Sequence, residues 1–199
     1  MATAQFAGSA PKLRLLTFGT SLTADQRWPF DLAQHLAHCT GRALEARSIA
    51  MPGGDSGWGS AHAAQAAATL PDLAVIEFAV NDADLRHGVT LTASSENIRK
   101  IVAEIRRRHS RAHILLLATP QVTGFRHWLL RPRLDRYFDQ LRDIARTQNV
   151  SFVDARPGWQ SGLASKRILP AADGLHPDRA SLSATLVPLL ASASGLCSR

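Results

Sequence analysis

The chain has 199 residues, of which 45% are hydrophobic and 20% charged. This size and composition predict one soluble globular domain over residues 1–199, with flexible ends at residues 1–11 and 194–199. No apolar run approaches the ~20 residues that cross a bilayer, so no membrane span is expected. Residues 1–11 also lack the basic start and the apolar stretch of a signal peptide.

The charge balance is basic, because 23 Lys+Arg face 16 Asp+Glu and give a net charge of +7. We interpret this excess as an arginine-rich solvated surface. The arginine run at residues 106–108 ends a predicted helix, where cations meet the helix dipole, and it has no interleaved aromatic residues that could stack on bases. A nucleic-acid partner is therefore not expected.

The two cysteines, Cys39 and Cys197, are too few for a disulfide framework. Cys39 lies in an apolar helical pattern and is expected to be packed, whereas Cys197 lies in a small, polar tail. This use of cysteine, together with the missing signal peptide, favours a cytoplasmic location.

The predicted elements alternate between strands and helices along the chain. Strands are predicted where short apolar runs occur, at residues 13–18, 44–49, 73–78, 113–119 and 150–154. Helices are predicted at residues 28–39, 60–70, 94–109, 134–148 and from about residue 178 to residue 193. This alternation predicts an α/β fold, a three-layer α/β/α sandwich around a five-stranded parallel sheet of flavodoxin-like order 2-1-3-4-5.

Ligands of such a sheet bind beyond the carboxyl ends of the strands, where the strand order reverses between strands one and three. Ser21 follows strand one, where backbone N–H groups near a helix start can face a ligand. Asn81 follows strand three, and its side chain can donate an N–H to a developing oxyanion. Gly53 and Gly54 follow strand two, where the backbone of a glycine can approach a substrate closely.

A candidate base lies near the end of the chain. Asp173 and His176 are three positions apart, and in a turn such residues can share one side, so the carboxylate can reach the imidazole Nδ1–H. A serine after a strand is more often a helix cap than a nucleophile, and a loop asparagine is often a turn residue. The combination of Ser21, Asn81 and the Asp173–His176 pair favours catalysis.

Four short sequence blocks, taken in chain order, resemble those of the SGNH hydrolases, which are also called GDSL esterases and lipases. Residues 19–22, Gly-Thr-Ser-Leu, are similar to the nucleophile block of the family. Gly53 is similar to its oxyanion glycine, and Asn81 to the asparagine of its Gly-x-Asn-Asp block. Asp173 and His176 are similar to its terminal Asp-x-x-His, so the resemblance covers nearly the whole chain.

The resemblance implies a serine esterase that needs no metal or cofactor and acts on a small-molecule ester. Ser21 would attack the ester carbonyl and form an acyl-enzyme, His176 would move the proton, and Asp173 would fix the imidazole tautomer. The Ser21 N–H, the Gly53 N–H and the Asn81 side chain would hold the oxyanion. Known members cleave acetylated sugars, acyl thioesters, aryl esters and lysophospholipids, and we expect a small or medium acyl group here.

The sequence departs from the family pattern at three positions. Thr20 replaces the usual aspartate before the serine, which predicts altered hydrogen bonding in the loop and retained activity. Ala79 replaces the glycine of the third block, and Ser48 stands where the second block often has asparagine. Counting from Ser48 favours Gly53 over Gly54 as the oxyanion glycine, but both remain candidates.

Three aromatic residues, Trp58, Phe125 and Trp128, are candidate substrate-binding residues. Residues 125–130 follow strand four and are unusually apolar for a loop, which fits either a wall or lid of the substrate pocket or a subunit interface. The sequence therefore leaves undecided whether the chain forms a homo-oligomer. Trp28 and Trp58 follow loops at the active edge, and each fits a pocket lining as well as core packing.

No metal site is expected from the histidines. His109 and His113 straddle a helix end and a strand, and His35 and His38 are interpreted as surface residues of a helix. Asp82 is interpreted as a hydrogen-bond anchor and not as an acid.

Two other classes of function fit the same fold. One is a non-catalytic carbohydrate-binding module, which the complete set of candidate catalytic residues disfavours. The other is a phosphate-handling or signalling domain, which is disfavoured because the loop after strand one has no Walker-type lysine.

Overall fold

A sheet of five parallel strands forms the centre of the structure, a computed structural model that describes residues 12–197. The strands are β1 (Leu13–Gly19), β2 (Leu44–Ala50), β3 (Leu73–Glu77), β4 (His113–Ala118) and β5 (Ser151–Asp154). Their order is β2-β1-β3-β4-β5, and every neighbouring pair is parallel. The predicted α/β fold and strand order are confirmed, and each predicted strand overlaps an observed one.

The central strands are buried because their sequences are apolar on both faces. All five residues of β3 and the last five of β1 are buried, and β4 is buried from Ile114 onward. The edge strand β2 differs, because Glu45 and Arg47 are exposed and pair with each other at 3.2 Å. Charged side chains on an edge strand oppose its pairing with other chains.

Helices cover both faces of the sheet. In the described part of the chain they are α1 (Ser21–Ala24), α2 (Trp28–Thr40), α3 (Ser56–Ala61), α4 (Ala63–Ala68), α5 (Ala79–Asp82), α6 (Leu91–Arg108), α7 (Phe125–Leu130), α8 (Leu134–Gln148), α9 (Arg156–Ala164) and α10 (Arg179–Ser194). One core cluster contains residues of α2 and α10, and the other contains residues of α4, α6 and α8. The apolar stripe of α6 is buried, at Ile98, Ile101, Val102 and Ile105.

Several helices escape prediction from the sequence pattern. α1 and α5 have four residues each, too few for a periodic apolar pattern. α7 buries none of its residues, so it has no inward stripe, although its sequence is apolar. α9 carries Pro157 in its first turn, a start signal that was available. The predicted helix at residues 60–70 is two helices, α3 and α4, that meet at His62.

Cys39 and Cys197 form a disulfide, with their Cα atoms 5.4 Å apart. The expectation that Cys39 is packed is wrong: Leu36 takes the inward face of α2 and Cys39 is exposed. Gly195 ends α10 in a left-handed conformation, and the chain then reaches α2. The cytoplasmic expectation loses its support from the cysteines, because disulfides persist mainly in oxidising compartments.

No helix among residues 12–197 is long and apolar enough to cross a membrane. In the same part of the chain, one group of side chains has its ligand atoms close enough to hold a metal ion, namely His35, Cys39 and Cys197. The two sulfur atoms of this group are joined in the disulfide. They are therefore not the thiolates that a metal binds.

Candidate active site

Ser21 is the first residue of α1, directly beyond the carboxyl end of β1. Thr20 caps this helix, because its Oγ1 accepts the Leu22 N–H at 3.1 Å. Trp28 is fully buried, and its Nε1 donates to the Leu22 carbonyl at 2.7 Å. Trp28 thus packs in the core and fixes the turn that follows Ser21, and it does not line a pocket.

The structure brings Ser21, His176 and Asp173 together in one hydrogen-bonded chain. Ser21 Oγ lies 2.9 Å from His176 Nε2, and His176 Nδ1 lies 2.6 Å from Asp173 Oδ2. The other carboxylate oxygen of Asp173 accepts the N–H groups of Leu175 at 2.8 Å and of His176 at 2.7 Å. This geometry lets the imidazole take a proton from the serine while the carboxylate holds the opposite ring nitrogen.

The Asp173 carboxylate is held in its ionised form. Burial by itself would raise the pKa of Asp173, but the hydrogen bonds from His176 and Leu175 outweigh it and keep that pKa well below its usual range. The pair is nevertheless open to solvent, since the side chains of His176 and Asp173 are 39% and 53% exposed.

Hydrogen bonds to backbone carbonyls hold the loop with Asp173 and His176 in place. Gly174 has a φ of +81°, and its carbonyl accepts the Thr123 N–H at 2.7 Å. A Cβ at Gly174 would lie 2.1 Å from the Thr123 carbonyl oxygen, so only glycine permits this approach. Farther along, Arg179 Nε donates to the Asp25 carbonyl at 2.9 Å, which ties the loop to the end of α1.

Asn81 and the glycine loop after β2 are also in contact. Asn81 is buried, and its Nδ2 donates to the Gly54 carbonyl at 2.8 Å, which leaves its second amide hydrogen for another acceptor. The Gly54 N–H is engaged, because it donates to the Met51 carbonyl at 2.8 Å. Gly53 has a φ of +74°, and its N–H has no partner among the described residues. The free N–H favours Gly53 over Gly54 as a donor to a ligand.

Two buried carboxylates follow Asn81 in the sequence, and the first of them, Asp82, supports this loop. Asp82 accepts the Ser56 N–H at 2.7 Å and the Ser94 hydroxyl at 2.5 Å, which agrees with its interpretation as an anchor, and burial raises its pKa. Asp84 forms a buried ion pair with Arg131 at 2.7 Å.

Burial would raise the pKa of Asp84, but its contacts with Arg86 and Arg131 lower that pKa to about 2. The Asp84–Arg131 pair was not predicted, because its two residues are far apart in the sequence and each looks like a surface residue.

The three candidate substrate-binding aromatic residues have different surroundings. Phe125 and Trp128 on α7 are 75% and 61% exposed, with ring centroids 6.1 Å apart. α7 begins two residues after Thr123, whose N–H donates to the Gly174 carbonyl, so the helix starts next to the base loop. Trp58 is half-buried and packs against Phe18 and Phe78. Its packing favours a role in the core, and its contact with a substrate stays a prediction.

Glu77 was missed as a candidate residue, although a signal was present. It is the one charged residue of β3, and it ends the strand at the same edge as Ser21. A charge inside an otherwise apolar, central strand is unusual and calls for a local partner.

The fold and this site together define a hydrolase of the α/β/α type with a serine, a histidine and an aspartate in line. The chain matches the GDSL-like lipase/acylhydrolase family over residues 16–181 and belongs to that family. The resemblance seen in the sequence is therefore confirmed, and the chain is an enzyme of the ester-hydrolase class.

Solved structures of similar fold include an acetylxylan esterase from Geobacillus stearothermophilus, 20% identical, with 96% of this chain and 97% of that chain covered and a TM-score of 0.75. A lipase/acylhydrolase from Enterococcus faecalis is 22% identical, with 92% and 96% covered and a TM-score of 0.77. At these identities the likeness shows a shared fold. No curated protein matches the sequence.

Proposed function

We propose that this chain hydrolyses carboxylic esters with a small or medium acyl group through an acyl-enzyme on Ser21. The observation that carries the proposal is the hydrogen-bonded chain from Ser21 through His176 to Asp173. Acetylated sugars, aryl esters and thioesters are the substrate classes to test first. Catalytic mutants of the Geobacillus acetylxylan esterase replace a serine, an aspartate and a histidine, and the last two are three positions apart, as Asp173 and His176 are.

The reaction has two balanced halves. In the first, Ser21 Oγ forms a bond to the ester carbon while its proton passes to His176 Nε2, and the carbon–oxygen bond to the alcohol then breaks as His176 returns the proton to the leaving oxygen. In the second, water attacks the acyl carbon, His176 accepts and returns a proton, and the carboxylic acid leaves Ser21 free. No metal ion takes part in either proposed half.

The oxyanion of each half would be held by three donors. These are the second N–H of the Asn81 amide, the N–H of Gly53 and the N–H of Ser21 itself. The N–H groups on both sides of Ser21 are engaged, with Thr20 N–H on a Glu77 oxygen and Leu22 N–H on Thr20 Oγ1. The Ser21 N–H has no partner among the described residues, which leaves it for the substrate.

The exposed rings of α7 are proposed as the wall that contacts the acyl or alcohol group. Phe125 and Trp128 are too exposed to serve as core residues, and their helix begins two residues after Thr123, which contacts the loop that carries the base. An open apolar wall next to a solvent-exposed His176 suits substrates that are not fully enclosed.

Ser21→Ala tests the proposed function most directly. We expect the variant to fold normally and to lose p-nitrophenyl acetate turnover by about 10⁴-fold or more, because the covalent step is removed. Covalent labelling by a fluorophosphonate probe should also disappear. Ser95→Ala on α6, which changes another serine away from the site, is the control and should keep both activities.

Equal turnover in Ser21→Ala and the wild type would exclude the proposed mechanism. A wild-type protein that binds acetylated oligosaccharides but neither turns them over nor accepts the probe would point to the carbohydrate-binding alternative.

A further inference from the structure

Glu77 is a buried carboxylate that the proposed mechanism does not use. It ends β3 with 2% of its surface exposed, and in the sheet it lies opposite Gly19 at the end of β1. A Cβ added to Gly19 would lie 2.2 Å from Glu77 Oε1, so the carboxylate fills the space that the glycine leaves. The residue pair therefore places a carboxylate directly under the start of the loop that carries Ser21.

The donors to this carboxylate come from both sides of Ser21. Oε1 accepts the Thr20 N–H at 2.6 Å and the Thr23 hydroxyl at 2.7 Å. The Thr20 hydroxyl lies 3.0 Å and 3.1 Å from the two carboxylate oxygens. One carboxylate thus holds the residue before Ser21 and the residue two places after it.

Resting on the proposed function, we propose that Glu77 is a positioning residue, which acts through Thr20 and Thr23 to fix the backbone around Ser21 so that its hydroxyl meets His176 and its N–H faces the substrate. Ser21 lies on a helix of only four residues, which cannot hold its own geometry by length. The tie to the central strand β3 supplies that rigidity.

The free energy of folding does not explain why a carboxylate is kept here. Burial raises the pKa of Glu77 from 4.5 to about 7, against the opposing hydrogen bonds from Thr20 and Thr23, and the negative charge of Asp82 adds to the increase. The folded protein therefore keeps a proton on Glu77 between about pH 4.5 and 7 that the unfolded chain has lost. Stability falls as pH rises through this window, so the ionised form lowers stability.

Among the groups around Glu77, the charge of Asp82 also disfavours its ionised form. From the β1–α1 segment it faces Thr20 and Thr23, which are neutral, and from α5 it faces Asp82. Asp55, at the start of α3, acts in turn on Asp82. An aspartate at position 20 would add a further carboxylate against Glu77, whereas the Thr20 hydroxyl donates to Glu77 and accepts from Leu22.

The test compares Glu77→Gln and Thr23→Val with a matched control, Asp72→Asn. Asp72 also accepts a backbone N–H from β1, that of Arg14 at 2.9 Å, but it precedes β3, at the other end of the strand from Glu77. Turnover of p-nitrophenyl acetate and the rate of fluorophosphonate labelling are measured at about pH 8.5, where Glu77 is ionised, and well below each thermal midpoint.

We expect kcat and the labelling rate to fall together by about 10- to 100-fold in Glu77→Gln and by about 3- to 10-fold in Thr23→Val, with KM within about twofold, because a shift of ~1 Å in a reacting group can cost ~100-fold. Asp72→Asn should keep both rates and lose only stability. Glu77→Gln with both rates within about twofold of the wild type, or with a lowered thermal midpoint as its only effect, would overturn the proposal.

An amide resonance separates this proposal from the proposed function. The Thr20 N–H, which donates to Glu77 at 2.6 Å, should resonate far downfield, should titrate near pH 7, and should lose both properties in Glu77→Gln. A wild type without turnover or labelling would overturn the proposed function. In that case, a Thr20 resonance that titrates near pH 7 and changes in Glu77→Gln would still support the contact between Thr20 and Glu77. A Thr20 resonance that does neither would overturn that contact.

Discussion

The nucleophile side of the candidate site and its base side are held in place by different means. On the nucleophile side, Thr20, Glu77 and Asn81 are all buried. Thr20 donates to Glu77 at the end of β3, and Asn81 donates to the Gly54 carbonyl in the loop after β2. On the base side, Asp173 and His176 are half-exposed, and one glycine contact and a few backbone bonds hold their loop.

This difference separates two tasks of the site. Of the proposed oxyanion donors, the Asn81 amide is buried, Ser21 is half-buried and Gly53 is exposed. Electrostatic stabilisation of an oxyanion depends on fixed dipoles, and the buried Asn81 amide is the donor held most firmly. The proposed base, His176, and its partner Asp173 lie in the open half, where solvent reaches the imidazole. We therefore expect the cost of a substitution to decrease from the buried half to the exposed rim.

Asn81→Ala should have the largest effect among the residues outside the Ser21–His176–Asp173 chain. It removes the proposed oxyanion donor and the hydrogen bond to the Gly54 carbonyl. Loss of a single oxyanion donor costs about 10²- to 10³-fold in kcat. Steady-state kinetics with p-nitrophenyl acetate measures this effect, and KM should change much less than kcat.

Asn97→Ala is the matched control for this change. Asn97 Nδ2 donates to Ser56 Oγ at 3.1 Å, so it supports the same glycine loop from α6 without reaching the site. This variant should keep kcat within about threefold of the wild type, as expected for a substitution that shares no reacting atom. Equal losses in the two variants would mean that loop stability, and not an oxyanion donor, is what Asn81 provides.

Much of the buried half could be predicted from local sequence patterns. Apolar runs identify the strands, and the parallel order then places Ser21 and Asn81 at one edge. The Asp173–His176 pair follows from a spacing of three. The features that escaped prediction join distant positions: Glu77 with Thr20, Asp84 with Arg131, and Cys39 with Cys197.

Such pairs escape prediction for a physical reason. The charge at the end of β3 signals that Glu77 needs a partner, but the sequence does not show which one. Only the register of β1 against β3 shows that Gly19 makes room for its carboxylate. Helix α7 also escaped prediction, because an apolar helix that buries no face has no helical repeat of apolar and polar residues to detect.

Gly174→Ala should have an intermediate effect and tests the base side. The new Cβ would lie 2.1 Å from the Thr123 carbonyl oxygen at a φ of +81°, so the loop must move. We expect kcat/KM to fall by about 10- to 100-fold, because the Asp173–His176 geometry shifts with the loop.

Gly41→Ala controls for backbone strain alone. Gly41 has a φ of +62° with nothing within 4 Å of an added Cβ, and it ends α2. This variant should lose about 1 kcal/mol of stability and keep full activity. Unchanged activity in Gly174→Ala would show that the base loop adjusts freely, and the proposed contrast between the two halves would then be stronger than we infer.

Trp128→Ala should have the smallest effect, because its ring is 61% exposed and lies outside the hydrogen-bonded site. If α7 is a wall for the acyl group, KM for hexanoyl esters should rise by about 3- to 10-fold while acetyl esters are unaffected, since each buried methylene contributes ~0.8 kcal/mol. If α7 is instead a subunit interface, light scattering should show a lower mass for the variant, and the acyl preference should stay as in the wild type. For Trp128→Ala we therefore measure both the mass and the ratio of kcat/KM for hexanoyl and acetyl esters. A changed ratio indicates a wall for the acyl group, and a lower mass indicates a subunit interface.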